Sequence, residues 1–179
     1  MNFHAADLHF GQSNVCKYRT HFSSVQEHDT VIFENILRQL NKRSTLYLHG
    51  DICFSEESLK YIEQFRETGA TVILIGGNHC TDKIPLKRLC EVYSAVYFYQ
   101  NKYGFTLSHM PLHPEHLRGK LNVHGHLHDK VIDDPRYLNV SLEQTNYHAL
   151  SLDHIREIFS ERISSGKLCE TYKQSLKLL

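Results

Sequence analysis

No apolar run in this 179-residue chain approaches the roughly 20 residues needed to cross a bilayer. The opening MNFHAADLHFG has neither a basic lead nor an apolar signal core. A cytoplasmic protein without a membrane partner is therefore expected. Excess charge of either sign is also missing, since 20 Lys and Arg balance 20 Asp and Glu. No overall positive field recruits a nucleic-acid backbone, although a nucleotide can bind locally. The five cysteines (Cys16, Cys53, Cys80, Cys90, Cys169) are odd in number and show no CxxC spacing, which speaks against a disulfide framework or a cysteine zinc site. Internal repeats, low-complexity tracts and linkers are absent as well. The one surplus is histidine, with fourteen residues, the commonest protein metal ligand and the side chain that titrates nearest neutral pH.

With 41% hydrophobic and 22% charged residues, the composition is globular, and the length suits one domain over residues 1–179 with a C-terminal tail, 165–179, packed on it. Residues 2–7 begin a strand that runs into DLHFG. Ser24 and Glu27 form a capping box for a helix to about Asn41, with Ile32, Ile36 and Leu40 on its apolar stripe. TLYL (45–48) is a buried strand followed at once by His49, Gly50 and Asp51. Leu59, Ile62 and Phe65 mark a second helix closing near Gly69, and TVILI (71–75) is a strand buried on both faces that empties into GGNHC. Strand, helix, strand, helix, strand predicts a largely parallel sheet, whose ligands lie beyond the carboxyl ends of the strands. Downstream, AVYFYQ (95–100) and FTLS (105–108) flank NKYG as an antiparallel hairpin, which predicts a second sheet. YLNVS (137–141) is a further strand, and Ile155, Ile158, Phe159 and Ile163 mark a helix. In the tail, Leu168, Tyr172 and Leu176 predict packing on the same domain, with an oligomer contact as the other reading.

Each polar cluster has an ordinary explanation alone: a capped turn at Asp7 and His9, a loop acid at Asp51, a turn at Gly77 and Asn78. Five such clusters in order, the first three ending buried strands of one sheet, require a joint explanation. Two divalent cations about 3.5–4 Å apart need a bridging carboxylate plus imidazole, carboxylate or amide oxygen on each ion. Asp51 can serve as the bridge, with one aspartate and one histidine before it, and one asparagine and three or four histidines after it.

The ordered set DLH, GD, GNH, SH and GHLH resembles the calcineurin-like metallophosphoesterase superfamily, whose pattern is D-x-H, G-D, G-N-H-D/E, H and G-H-x-H. HFGQSN and SHMPL look like small bacterial and phage members. The resemblance implies an α/β fold, a four-layer sandwich of two mixed β-sheets flanked by helices. It also implies metal-dependent hydrolysis of a phosphoester by in-line attack of a metal-bound water or hydroxide, with a nucleotide-like phosphodiester favoured over a monoester. By that likeness Asp7, His9, Asp51 and His128 would hold one ion, and Asp51, Asn78, His109 and His126 the other. His79 would act at the leaving oxygen. Mixed nitrogen and oxygen ligation points to two divalent transition metal ions, manganese first, with iron, nickel or zinc as the other choices. His124 falls outside the pattern, and a bend after Gly125 would leave it as a supporting group.

The chain departs from the family at two positions. Cys80 stands where a carboxylate usually follows the GNH histidine, and is expected to be a small packed residue near a helix start. Phe54, in GDICFSE, stands where phosphoprotein phosphatases carry the acid partner of their catalytic histidine, so a protein phosphatase is not expected. HGHLHD differs from the HxHxDH signature of metallo-β-lactamase-like hydrolases, and the barrels that begin with a DLH-like segment are longer than this chain. A phosphomonoesterase and a non-catalytic metal-binding or interaction scaffold of the same fold are the alternative functions. No substrate-binding residue is assigned. Loops 12–20, 81–88 and 111–119 would set specificity, and Lys83, Lys87 and Arg88 are either phosphate contacts or a solvated face.

Overall fold

The computed structural model describes residues 1–176. It is an α/β structure with two mixed sheets and flanking helices. The first sheet runs β4-β3-β2-β1-β9, from β1 (Asn2–Ala5), β2 (Thr45–His49), β3 (Thr71–Ile75), β4 (Ala95–Tyr97) and β9 (Leu150–Ser151). Strands β1 to β4 are parallel and β9 is antiparallel to β1. The second sheet runs β5-β6-β7-β8, from β5 (Tyr99–Lys102), β6 (Phe105–Ser108), β7 (Leu121–His124) and β8 (Tyr137–Asn139). Only its β5–β6 pair is antiparallel.

Helix α1 (Val25–Leu37) starts where Ser24 Oγ accepts the Glu27 backbone N–H at 3.1 Å. The return bond of the expected capping box goes one residue further out, from the Ser23 N–H to Glu27 at 2.8 Å. Such a cap contributes about 1 kcal/mol. Regular helix ends at Leu37, short of Asn41, because Gln39 and Leu40 donate three residues back, to Ile36 and Leu37, and so tighten the last turn. Helices α2 (Leu59–Glu67) and α3 (Leu86–Val92) follow β2 and β3. One core joins Ile32 and Ile36 of α1, Ile62 and Phe65 of α2, and Leu46, Leu48, Val72 and Leu74 of the first sheet. The alternate residues Tyr47, Ile73 and Ile75 enter a second core with Phe105, Leu107, Leu121 and Val123, as period-two strands require. Helix α4 (Leu152–Ser164) closes that core with Leu152, Ile155, Phe159 and Ile163, while Ile158 packs at its margin. Each fully buried side chain of this size contributes about 1.5–3 kcal/mol.

The single strand expected over residues 95–100 is two strands. Ala95 to Tyr97 pair with β3, the chain leaves that sheet at Phe98, and Tyr99 onward pairs with β6. Its hairpin turn is the pair Tyr103 and Gly104, both left-handed (φ 56° and 82°), as a two-residue type I′ loop demands. Strand β8 stops at Asn139, before Ser141, because Val140 and Ser141 turn to the other sheet. The Ala6 N–H donates to Val140 O at 3.0 Å and the Leu142 N–H to Ala6 O at 3.3 Å.

In the tail, Leu168 enters the second core, with Tyr172 and Leu176 packed against it. Helix α5 (Lys173–Leu176) ends the described chain, and residues 177–179 of the expected tail lie outside it. No helix among the described residues is long and apolar enough to cross a membrane.

Candidate metal centre

Five strand ends converge. Asp7 and His9 follow β1, Asp51 follows β2, Asn78 and His79 follow β3, His109 follows β6, and His126 and His128 follow β7. The chain beyond β1 continues beside that beyond β2, with the Asp7 N–H on Gly50 O and the His9 N–H on Asp51 O, both at 3.1 Å. Asp7, His9, Asp51, His126 and His128 all have φ between 53° and 71°. Left-handed backbone is uncommon for residues other than glycine, and where it clusters it marks constrained functional geometry. It turns these side chains inward from otherwise extended chain.

Two groups result. The ligand atoms of Asp7, His9 and His128 lie within 4.8 Å of one another, as do those of Asp51, His109 and His126. Asn78 joins the second through Oδ1, 2.9 Å from His109 Nε2. That nitrogen is also 3.3 Å from Asp51 Oδ2 and 3.2 Å from His126 Nδ1. Asp51 thus sits with His109 and His126 and not among the first three. The groups are tied together by the His126 N–H, which donates to Asp7 Oδ2 at 2.8 Å.

The histidine tautomers follow from their partners. His109 Nδ1 is 2.8 Å from His49 O, His9 Nδ1 is 2.7 Å from Gln12 Oε1, and His128 Nδ1 is 2.9 Å from Glu143 Oε1. These oxygens only accept, so each Nδ1 carries hydrogen and each Nε2 is left for the centre. Burial opposes ionisation of Asp7, yet the neighbouring His9 ring, the His109 charge and the Ser141 bond hold its carboxyl below the ordinary range. Asp51 is lowered against the same opposition, chiefly by its hydrogen bond with His109. The partners raise His109 and His128: burial works against protonating His109 but the Asp51 bond and charge prevail, and at His128 the Glu143 bond is the largest cause. Burial and the His109 charge lower His126.

Behind the first group lies a buried network. Arg19, 4% exposed, donates to Asp7 O at 2.6 Å, to Leu8 O at 3.2 Å and through Nε to Glu143 Oε1 at 2.9 Å. Its Nη1 also meets His28 Nε2 at 2.7 Å, and His28 Nδ1 donates to Asp29, which accepts the Gly11 N–H. Ser141 Oγ donates to Asp7 Oδ2 at 2.7 Å. Glycine permits the close approach of chains here. A Cβ on Gly77 would strike the Asp51 carboxylate, and one on Gly125 would lie 2.7 Å from Asp7 Oδ2.

His79 belongs to neither group. Its backbone N–H donates to Asp51 Oδ1 at 3.0 Å and its Nδ1 meets Asp82 Oδ2 at 2.7 Å, with both side chains about half exposed. Asp82 therefore provides the carboxylate that Cys80 and Phe54 do not. Cys80 is packed as expected, but in a loop, since α3 begins only at Leu86. Its Sγ accepts the N–H groups of Gly77 and Asp51 at 3.1 and 3.4 Å, and burial raises its pKa. His124 is buried at the end of β7, where the strand stops, with Nδ1 donating to Gly125 O at 2.8 Å. Arg88 is engaged in an exposed acidic set, with Glu56 at 2.6 Å and Glu63 at 3.2 Å, and Lys83 and Lys87 are exposed. Sequence reasoning missed the parts played by Gln12, which lies in HFGQSN, and by Arg19, Asp82, Ser141 and Glu143, which lie in no recognisable motif.

No family model and no curated protein matches the chain. Among solved structures it is similar to a protein of unknown function, AQ665, from Aquifex aeolicus, with 24% identity over 88% of this chain and 98% of that one, at a TM-score of 0.71. The likeness is one of fold.

Proposed function

We propose that this chain is a metallophosphoesterase of the calcineurin-like type that hydrolyses phosphodiesters with two divalent metal ions. The observation that carries the reading is the donor set. Asp7 Oδ1 and His9 Nε2 are buried without any hydrogen-bond partner and face each other across 3.8 Å. Buried polar atoms are rarely left unpartnered. Ligands about 2.0–2.2 Å from a shared ion stand at most about 4.3 Å apart, so an ion between them satisfies both atoms.

Asp7, His9 and His128 would hold one ion, and Asp51, Asn78, His109 and His126 the other; bridging by Asp51 would require its carboxylate to turn from the second group toward the first. Two such ions supply a water activated at neutral pH and neutralise charge developing on the phosphate oxygens. Imidazole-rich ligation with carboxylate and amide oxygen suits manganese, iron, nickel or zinc. His79 keeps Nε2 for the leaving oxygen, and Asp82 holds the other ring nitrogen, the arrangement that orients a general acid.

The test is turnover of bis-p-nitrophenyl phosphate and p-nitrophenyl phosphate by protein loaded with manganese, nickel or zinc. Metal-dependent hydrolysis with the diester preferred, lost in Asp51→Asn, is the expected result. Wild type that carries two equivalents of metal and hydrolyses neither ester overturns the reading.

A further inference from the structure

A cavity of about 820 Å³ opens beside the first group of ligands, with His9, His126 and His128 at its floor. Its size falls within the range of about 300–1,000 Å³ of small-molecule sites. Val15 and Leu127 give it an apolar wall, and Lys17, Tyr18 and Lys130 line it from exposed positions, Tyr18 being 76% exposed. Arg19 and Glu143 also contribute to the lining, but they are spent on each other and on His128. That leaves two ammonium groups against the single carboxylate of Asp129.

His79 stands on the other flank. The His9 ring is stacked on Phe54 at 4.8 Å, and Phe54 meets the His79 ring at 5.9 Å, whereas His128 lies 5.0 Å from His9 toward the cavity. Neither Phe54 nor His79 lines the cavity. A phosphate above the two ligand groups therefore has room for one substituent toward Phe54 and His79 and a second toward the cavity. A monoester would leave one of these places empty.

We infer that the cavity is the subsite for the retained group of a phosphodiester, a nucleoside bearing a further phosphate. Its base lies against Tyr18, Val15 and Leu127, and its second phosphate lies between Lys17 and Lys130. This rests on the phosphodiesterase reading above and adds the identity of the retained group. In the hydrolysis, a water oxygen bonds to phosphorus and the P–O bond to the leaving alcohol breaks. One proton of the water is released and the leaving oxygen takes up one. The retained nucleoside then carries two phosphates. An aromatic ring stacks on the face of any base, and lysine serves as a point charge for phosphate.

The test measures binding by calorimetry in metal-loaded protein, with adenosine 3′,5′-bisphosphate and adenosine 3′-monophosphate as probes. The bisphosphate is expected to bind at least tenfold more tightly. The preference should fall to less than threefold in Lys17→Ala/Lys130→Ala and survive in Lys17→Arg/Lys130→Arg, while Tyr18→Ala weakens both probes. Thermal melts check that these exposed substitutions leave the fold intact. Equal affinity of wild type for the two probes, or an undiminished preference in the double alanine variant, overturns the assignment. Hydrolysis of bis-p-nitrophenyl phosphate in the same preparation separates the two ideas. If turnover is present and the preference absent, only the subsite is wrong; if turnover is absent in metal-loaded protein, the parent reading fails.

Discussion

Replacement of Glu143 should weaken metal binding at a residue that is itself no ligand. The carboxylate is 17% exposed, holds His128 Nδ1 at 2.9 Å and faces Arg19 at 2.8 Å. Loss of such an outer partner lowers metal affinity about 10–100-fold, or about 1.4–2.8 kcal/mol. Gln keeps an acceptor for His128 and belongs at the lower end, about tenfold, whereas Ala belongs at the upper. The metal-free fold is weakened too. Removing one member of a buried ion pair costs about 3–5 kcal/mol, and Arg19 retains the carbonyls of Asp7 and Leu8, so about 3 kcal/mol is expected for Ala. Titration leads to a similar figure. Burial alone would raise the Glu143 pKa, but the His128 bond and the Arg19 charge hold it at about 2 against an ordinary 4.5, a difference of roughly 3 kcal/mol. Because the folded pKa is depressed, this stability is complete above pH 4.5 and is lost as pH falls toward 2. Calorimetric titration of metal-free protein with manganese or zinc reads the first effect, and thermal melts from pH 7 to 3 read the second. If Glu143→Ala took up two ions at wild-type affinity, His128 would not be a ligand and the tautomer argument would fail.

Asp82→Asn should lower kcat about tenfold for a diester with an alkyl leaving group and much less for one with p-nitrophenol, since only a poor leaving group needs its proton; equal losses on both substrates would mean that Asp82 does no more than shape the loop. Gly77→Ala should cost about 1–3 kcal/mol from overpacking and remove one of two metal equivalents, because the new methyl displaces the Asp51 carboxylate; two equivalents by elemental analysis would contradict this. His4 is fully buried, and its pKa is lowered well below 6.5 by burial and then by the His49 charge. Unfolding therefore takes up a proton at His4 below pH 6.5, so this residue alone should cost metal-free protein about 1.4 kcal/mol per pH unit there, with His49 adding to the slope. His4→Phe, which keeps the stack on Tyr47 (4.9 Å), should flatten the slope by that amount, and an unchanged slope would exclude His4 as the titrating group.

Of the proposed ligands, Asp51 and Asn78 were legible because they follow the apolar strands TLYL and TVILI, whereas Asp7, His9, His109, His126 and His128 stood out chiefly through the ordered motif resemblance. A polar pair directly after TLYL or TVILI interrupts a buried run and stands out at any level of inspection. Their backbone geometry was not legible, since nothing in DLH or HLH indicates that Asp7, His9 and His128 are left-handed. The supporting residues were hidden by distance, as Arg19 and Glu143 are 124 positions apart and each looks like ordinary surface charge. Six consecutive strand-forming residues, 95–100, read as one strand because residue preference carries no record of which sheet a residue joins. Asp82 was not legible because the motif places a carboxylate only at positions 80 or 54, whereas a loop that does not enter helix until Leu86 can fold a later acid back onto His79.

The crossing of Val140 and Ser141 from one sheet to the end of β1 makes the Asp7 environment depend on both sheets. Asp7 acquires its hydroxyl partner, Ser141, only when a residue 134 positions further along the chain has been synthesised and both sheets have docked. On the proposed reading, ion capture would be a late event in folding, and the rate at which refolding protein quenches a fluorescent zinc indicator would time the final docking step rather than the early collapse.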